Sequence, residues 1–396
     1  MHGSPKGPLR VCFVSARSGY FAAHAVVTDW ANGRLVTEIF KTTGSYVFSL
    51  AIFSDPVWQK HYDHHIPVAM RYALPFPMTY VRGMQNTVKV YRILKQLERE
   101  NDLLIIQLPQ ISFLPLLFLK KPVIYHLCAN VLTASANPFK YKGLYLVIAR
   151  TFAKSMHWVH QRLFSRSVNR LIVNGSELGE LYKKFDPRVV VSSSLFRHEV
   201  LDYPDLRRFN GDFRIVFVGR PSKEKGIHRL MEAYTDLINE GRQVSLHMIG
   251  LHRHELEAGL GGSVAERVLN TIHFYGFVSW GTRFKEILSA GHALVMSSIS
   301  EGTPRVLLEA RALGCPIIAT RVGGVVTSVK DRLDGILIEP DVAADIKRSI
   351  IELMENEDFR QQLILHGLET SKKHTLEAFA AVFIQLLKEI ENEFHR

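Results

Sequence analysis

Apolar runs of five to seven residues recur through the second half of this chain, each followed by a longer stretch where apolar and polar positions mix. Phe213 to Gly219, Val244 to Gly250, Ile272 to Val278, Ala293 to Ser297, Pro316 to Thr320 and Asp334 to Ile338 are such runs. Near-continuous apolar segments of this length suit strands buried on both faces of a parallel sheet. The intervening stretches, such as Ile227 to Asn239, have helical composition and ten or more residues. That alternation predicts a doubly wound α/β domain. The first half repeats the pattern less clearly, with strands expected at Leu9 to Ser15 and at Pro122 to His126. Tyr203 to Gly211 is polar and broken by Pro and Gly, the composition of a linker. Two domains are expected, 1–202 and 203–375, with Leu376 to Phe394 as a last helix.

The chemistry-bearing residues sit where these strands hand over to helices. After Ala293 to Ser297 comes Glu301-Gly302-Thr303-Pro304-Arg305-Val306-Leu307-Leu308-Glu309, in which Pro304 suits a first helical turn and Gly314 a stop. In an open parallel sheet, ligands bind beyond the carboxyl ends of the strands, where helix N-termini offer unpaired N–H groups and partial positive charge. Glu301 falls in that position, and Glu309 lies about two turns further along the helix. Two acceptor-only carboxylates so spaced suit hydroxyls at two points of one elongated ligand, such as a sugar and a ribose diol. Alone, the spacing also fits a loop glutamate and a solvated helix face. The run Phe213 to Gly219 leads into Arg220-Pro221-Ser222-Lys223-Glu224-Lys225-Gly226, where glycines permit close backbone approach and Arg220 and Lys225 supply a forked and a point cation. This is the outline of a diphosphate clamp.

Taken in order, Gly219-Arg220, Lys225-Gly226, Gly276-Phe277-Val278, Glu301 with Glu309, and Gly323-Gly324 resemble the retaining nucleotide-sugar glycosyltransferases of family 4, over about residues 213 to 372. The resemblance implies the two-domain B-type (GT-B) fold, two Rossmann-like domains facing each other across a cleft. The donor would bind residues 203–375 and the acceptor residues 1–202, with the last helix crossing back to the first domain. It implies that Arg220 and Lys225 bind the donor diphosphate and that Gly276, Phe277 and Val278 contact the base through their backbone. Glu309 would hold the ribose, and Glu301 with the backbone of Gly302, Thr303, Arg305 and Val306 the donor sugar. Arg305 departs from the small or amide residue of many relatives and adds charge on the sugar side. His126 resembles the family's active-site histidine. Gly19 stands where relatives have a glycine-rich loop, but here it is the only glycine of that segment.

By the same resemblance, catalysis is expected to be front-face transfer of a hexose-type sugar, from UDP or alternatively GDP, without a protein nucleophile. No cofactor or metal is expected: the chain has no Asp-x-Asp triplet, the metal-holding signature of the other main glycosyltransferase fold, and its three cysteines lack metal-ligand spacing. Nucleotide-sugar epimerases share the architecture, and a non-catalytic sugar- or membrane-binding protein is a further alternative. Glycosidase chemistry is disfavoured because Glu309 is assigned to ribose.

Charge adds a second theme. Residues 1–195 carry 24 Lys and Arg against 10 Asp and Glu, so the whole chain's net +11 is an excess of the first half. Leu103 to Ser176 has no acidic residue but holds Lys120, Lys121, Lys140, Lys142, Arg150, Lys154, Arg162, Arg166 and Arg170. Within it Leu144, Ile148, Phe152, Met156, Val159 and Leu163 recur at helical spacing, beside Trp158. Such a stripe suits either a core-packing helix or docking on an anionic membrane through residues 120–170. A lipid-linked or anionic glycan acceptor follows as the expected partner. A nucleic-acid partner is not expected, since no recognisable module or aromatic stacking platform is present. Few cysteines, no apparent signal segment and a longest apolar tract broken by Gln107, Pro109, Gln110 and Pro115 predict a cytoplasmic protein, peripheral on the membrane at most. Met1 to Pro8 read as a flexible leader or expression remnant.

Overall fold

The computed structural model describes residues 7–21, 25–28, 30–41, 46–54, 64–68, 70–74, 87–109, 113–135, 143–202, 211–260 and 264–394. Two compact units result, residues 1–194 with 376–396, and residues 195–375.

In the first unit the strands are β1 (Leu9–Phe21), β2 (Ala25–Thr28), β3 (Tyr46–Ser54), β4 (His64–Pro67), β5 (Met70–Leu74), β6 (Leu103–Leu108), β7 (Val123–Leu127), β8 (Arg170–Asn174) and β9 (Arg188–Val190). β1 pairs in parallel with β3 on one side and β6 on the other, and the parallel ladder continues through β7, β8 and β9. Antiparallel β2 and β4 attach to the far end of β1. That extension corrects the expected loop at Gly19. The residue is extended backbone, paired with Thr28 and Ser54, because β1 runs on to Phe21 instead of turning after Ser15.

Helix Leu376–Phe394 belongs to this unit. It lays Phe379, Phe383 and Leu387 into the core, and Tyr46 donates to Glu391 Oε2 at 2.7 Å. Beneath it lies His126, 2% exposed, hydrogen-bonded through Nε2 to Asn174 Oδ1 at 3.0 Å. Its ring meets the edges of Phe379 and Phe383 at 5.5 and 5.2 Å. A side chain so enclosed is a core histidine, and the active-site role that the family resemblance implies for it is corrected on that ground. The alternation of β7 turns it inward towards the helix.

His126 is driven down to a pKa of about 4 by burial, despite its bond to Asn174, and His160 to about 3 by burial and then by His157. Both ring nitrogens of His160 are buried without a partner. The unfolded chain binds protons at these sites below its ordinary value near 6.5, and the folded unit does not. Their stability contribution is therefore complete above pH 6.5 and is lost as pH falls towards those depressed values. His160→Leu should remove part of that loss, about 2 kcal/mol at pH 5. Urea unfolding of both proteins from pH 7 to pH 5 checks it, since the gain from the substitution must grow as pH falls.

In the second unit β10 (Phe213–Val218), β11 (Val244–Ile249), β12 (Ile272–Gly276), β13 (Ala293–Met296), β14 (Ile317–Thr320) and β15 (Ile336–Ile338) form one parallel sheet in the order β12-β11-β10-β13-β14-β15. Phe213, Ile215 and Phe217 pack on helices Ile227–Asn239 and Ala343–Glu355, while Val216 on the opposite face meets Leu288, Leu307 and Ala310. Alternate side chains of one strand thus feed both layers, the doubly wound arrangement. The unit begins earlier than the expected residue 203. Leu195 and Val200 pack with Leu308, Ala312, Ile364 and Leu368, and half-buried Glu199 accepts from Trp280 Nε1 at 3.1 Å and Lys285 Nζ at 2.9 Å. These contacts tie residues 195–202 to the second unit, whereas the polar stretch 203–210 lies outside the described residues.

Candidate donor-binding site

In the second unit's sheet the strand order reverses between β10 and β13, and the carboxyl ends of these two strands carry the predicted chemistry. β10 leads through a 3-10 turn at Lys223–Lys225 into helix Ile227–Asn239, and β13 leads into helix Arg305–Ala312. Lys225 Nζ donates to Glu301 Oε1 at 2.5 Å, with Lys225 29% and Glu301 13% exposed. The two residues are 76 positions apart in the chain, and the switch point brings them together.

Backbone contacts hold the loops in register. Ser297 Oγ donates to the Lys225 carbonyl at 2.9 Å, and Ile299 N–H to the Glu224 carbonyl at 2.8 Å. Gly226 has φ +60°, and a Cβ there would stand 1.9 Å from the Ser297 carbonyl oxygen, so only glycine fits. The loop after β14 closes in the same way. Gly324 N–H donates to the Gly302 carbonyl at 2.9 Å, and a Cβ on Gly323 would meet the Glu301 carbonyl oxygen at 1.9 Å. The glycines therefore let three loops stack backbone on backbone.

Neither helix facing the switch point has a side-chain cap: Gly226 precedes one and Pro304 the other. Their first-turn N–H groups are the kind that bind phosphate. Arg220 is exposed after β10 and forms no hydrogen bond or ion pair among the described residues. Arg305 opens the helix half-buried, with Val306 beside it, while Gly302 is exposed and Thr303 half-buried in the loop before it. Glu309 lies half-exposed one turn beyond Arg305. At the end of β12, Gly276 takes φ +61° and presses on the His252 ring, Val278 is half-buried, and Phe277 is 69% exposed. His126 and Gly19, assigned to the other unit, are not among these residues.

Sequence inspection missed Ser298, whose hydroxyl donates to Glu301 Oε1 at 2.7 Å and fixes the carboxylate from below. Its spacing, three residues ahead of Glu301 in a post-strand loop, was the available signal. Missed as well was a buried chain in the first unit, where Asn32 Nδ2 donates to Ser15 Oγ at 3.1 Å and Ser15 Oγ to Gln107 Oε1 at 3.2 Å, joining the middle of β1 to the end of β6. Arg311, open to a surface reading, is buried against Asp334. Among the described residues no group of three His, Cys, Asp or Glu could hold a metal ion, and no helix is long and apolar enough to cross a membrane.

Residues 202–369 match the family described as Glycosyl transferases group 1. Relatives include an uncharacterized glycosyltransferase of Methanocaldococcus jannaschii, 34% identical over 42% of this chain and 46% of that protein. The lipopolysaccharide core biosynthesis glycosyltransferase LpsE of Rhizobium meliloti is 27% identical over 44% and 49%. The matched stretch thus spans about half the length of these relatives. Among solved structures, Anabaena Alr3699/HepE in complex with UDP has a TM-score of 0.66 at 16% identity, covering 96% of this chain and all of that one. WaaG, a glycosyltransferase involved in lipopolysaccharide biosynthesis, has a TM-score of 0.65 at 14% identity over 95% and 99%. The structural likeness shows the GT-B fold of two Rossmann-like domains. The family match itself lies within the second unit.

Proposed function

We propose that the protein is a retaining, metal-independent glycosyltransferase that moves a hexose-type sugar from a nucleoside diphosphate, UDP in preference to GDP, to a hydroxyl of a lipid-linked or cell-surface glycan. The observation that carries this reading is the meeting of Lys225 and Glu301 at the sheet's switch point, in the loops that lead into two helices without side-chain caps. A diphosphate there takes Lys225, Arg220 and the helix N–H groups as donors. The sugar then lies against Glu301 and the backbone from Gly302 to Val306, the ribose diol against Glu309, and the base against Gly276 to Val278. Exposed Phe277 offers a face beside the base.

In the transfer, the bond from the anomeric carbon to the phosphate oxygen breaks as the acceptor oxygen bonds the same face, and the departing phosphate takes the acceptor's proton. The negative charge that grows on the diphosphate meets cations and N–H dipoles already in position, so little reorganisation is needed in the transition state. Nothing in this scheme calls on His126 or on a metal ion. Support for a UDP donor comes from HepE, described in complex with UDP, and from its complex with UDP-glucose. Support for a glycan acceptor comes from the lipopolysaccharide and capsular polysaccharide roles in relatives' names.

Calorimetric titration with UDP, GDP and ADP in the absence of metal tests the reading. One nucleotide, UDP, is expected to bind, and Glu309→Ala should weaken it about 10–100-fold, the loss of hydrogen bonds to a charged acceptor. If the folded protein binds no nucleotide, the transferase reading is wrong.

A further inference from the structure

Helix Leu144–Phe164 is apolar on two opposite sides at its start. Its inner face buries Ala149, Ala153, Met156, Val159 and Leu163 in the first unit's core. The expected stripe therefore divides, with Met156, Val159 and Leu163 in the core and Leu144 and Ile148 pointing away from it. On that outward side Leu144 is 73%, Val147 59% and Ile148 55% exposed, followed at helical spacing by Trp158 at 53%. Tyr145 flanks them at 76%. A helix that packs only on its own core ends in a polar outer face; here the outer face of the first turns is aliphatic.

The charge along this helix is of one sign. Arg150 and Lys154 are exposed along its flank and form no ion pair among the described residues. Arg162 lies over the Trp158 ring at 5.3 Å. No Asp or Glu occurs anywhere from Leu103 to Ser176 to neutralise them. Lys140 and Lys142, which precede the helix, lie outside the described residues.

We propose that the first unit docks on an anionic phospholipid bilayer through this face, with Leu144, Val147 and Ile148 entering the acyl boundary. Tyr145 and Trp158 sit at headgroup level, and Arg150, Lys154 and Arg162 contact lipid phosphates. Aliphatic residues flanked by unpaired cations and amphipathic aromatics match the layers of a bilayer interface. A soluble acidic protein would satisfy the cations but would not require four exposed apolar side chains in the first two turns. The inference stands on this surface alone; the transferase reading adds only that the acceptor glycan is presented at the same membrane.

Co-sedimentation with vesicles of phosphatidylglycerol, against vesicles of phosphatidylcholine alone, tests it. The protein is expected to pellet with the anionic vesicles at low salt, to be released at high salt and to ignore phosphatidylcholine. Val147→Ser/Ile148→Ser should abolish pelleting, and Arg150→Gln/Lys154→Gln should weaken it about fivefold for each cation removed. All four positions are exposed, so melting temperatures should match the wild type. Nucleotide titration of the same samples reports separately on the donor site and should be unaffected. The proposal is overturned by failure of the wild type to bind phosphatidylglycerol, or by undiminished binding of the serine variant. Self-association of the wild type that the serine variant abolishes would overturn it too, by assigning the face to a second copy.

Discussion

Lys225→Ala is expected to lower kcat about 10²–10³-fold while raising KM for the nucleotide sugar much less. In the free protein the ammonium is balanced by Glu301 at 2.5 Å. On the proposed reading, donor binding sets a diphosphate beside both groups, and in the bound ground state its charge is still shared with the sugar carbon's bond. As that bond breaks, charge accumulates on the leaving oxygen, and the cation interacts more strongly with the transition state than with the substrate. Only such differential stabilisation raises kcat. The substitution isolates this effect because Glu301 does not lose its footing: Ser298 Oγ still donates to it at 2.7 Å. The register of the loops also survives, since Ser297 and Ile299 are held by the carbonyls of Lys225 and Glu224 and not by the lysine side chain. Lys225→Arg, which restores the charge with a different shape, should recover part of the rate. Steady-state kinetics of the two variants decide the matter; an unchanged kcat with a raised KM would reduce Lys225 to uniform donor binding and remove it from the stabilisation of the leaving group.

The second unit was legible because its signals are local. Helix Ile227–Asn239 has its predicted bounds, and helix Arg305–Ala312 starts where Pro304 predicts. Apolar runs and turn glycines determine these positions from nearest neighbours, so the strands follow and their carboxyl ends carry the polar loops. What local pattern cannot convey is pairing across the chain. That Lys225 meets Glu301, and that Gly226 exists to admit the Ser297 carbonyl, follows only from β10 lying beside β13. The first unit was harder because its β1 continues into an antiparallel extension with β2 and β4, where the absence of a second glycine after Gly19 was the one hint. His126 misled for a related reason. Period-two alternation says that a strand residue faces one side or the other, but the covering element on that side is a helix about 250 residues later, whose Phe379 and Phe383 close over the ring.

Asp334→Ala is expected to destabilise the second unit by about 3–5 kcal/mol, the cost of stranding one member of a buried ion pair. Arg311 Nη1 lies 3.0 Å from Asp334 Oδ2, and both side chains are only 2% exposed. The sequence suggested nothing of this kind, because an arginine at the end of a short helix is ordinarily solvated. Helix Glu357–Lys373 covers it: Gly367 lies against the Arg311 Cγ, where its own Cβ would stand at 3.0 Å, and Leu368 and Ile364 pack on Leu308. Burial pushes the guanidinium's pKa down, and the carboxylate beside it opposes that shift. Asp334 has further duties, accepting Lys330 N–H at 2.8 Å and Thr370 Oγ1 at 2.9 Å. Arg311 has few alternatives, with the Ser328 carbonyl at 3.0 Å and its Nε buried without a partner. Removing the acid therefore leaves a buried charge with the Ser328 carbonyl and no counter-ion among its described partners, whereas Arg311→Met leaves an acid still held by two donors. The alanine variant should be the worse of the two, with its thermal midpoint lowered by about 6–20 °C at about 2–4 °C per kcal/mol for a domain of this size. Arg311→Met/Asp334→Asn, which removes both charges and keeps an acceptor for Lys330 N–H, should regain most of the loss. Differential scanning calorimetry of the three variants tests the ordering. A midpoint for Asp334→Ala within a degree or two of the wild type would mean that the pair is solvated in solution and contributes nothing to holding the helix Arg305–Ala312, and with it Arg305 and Glu309, in place.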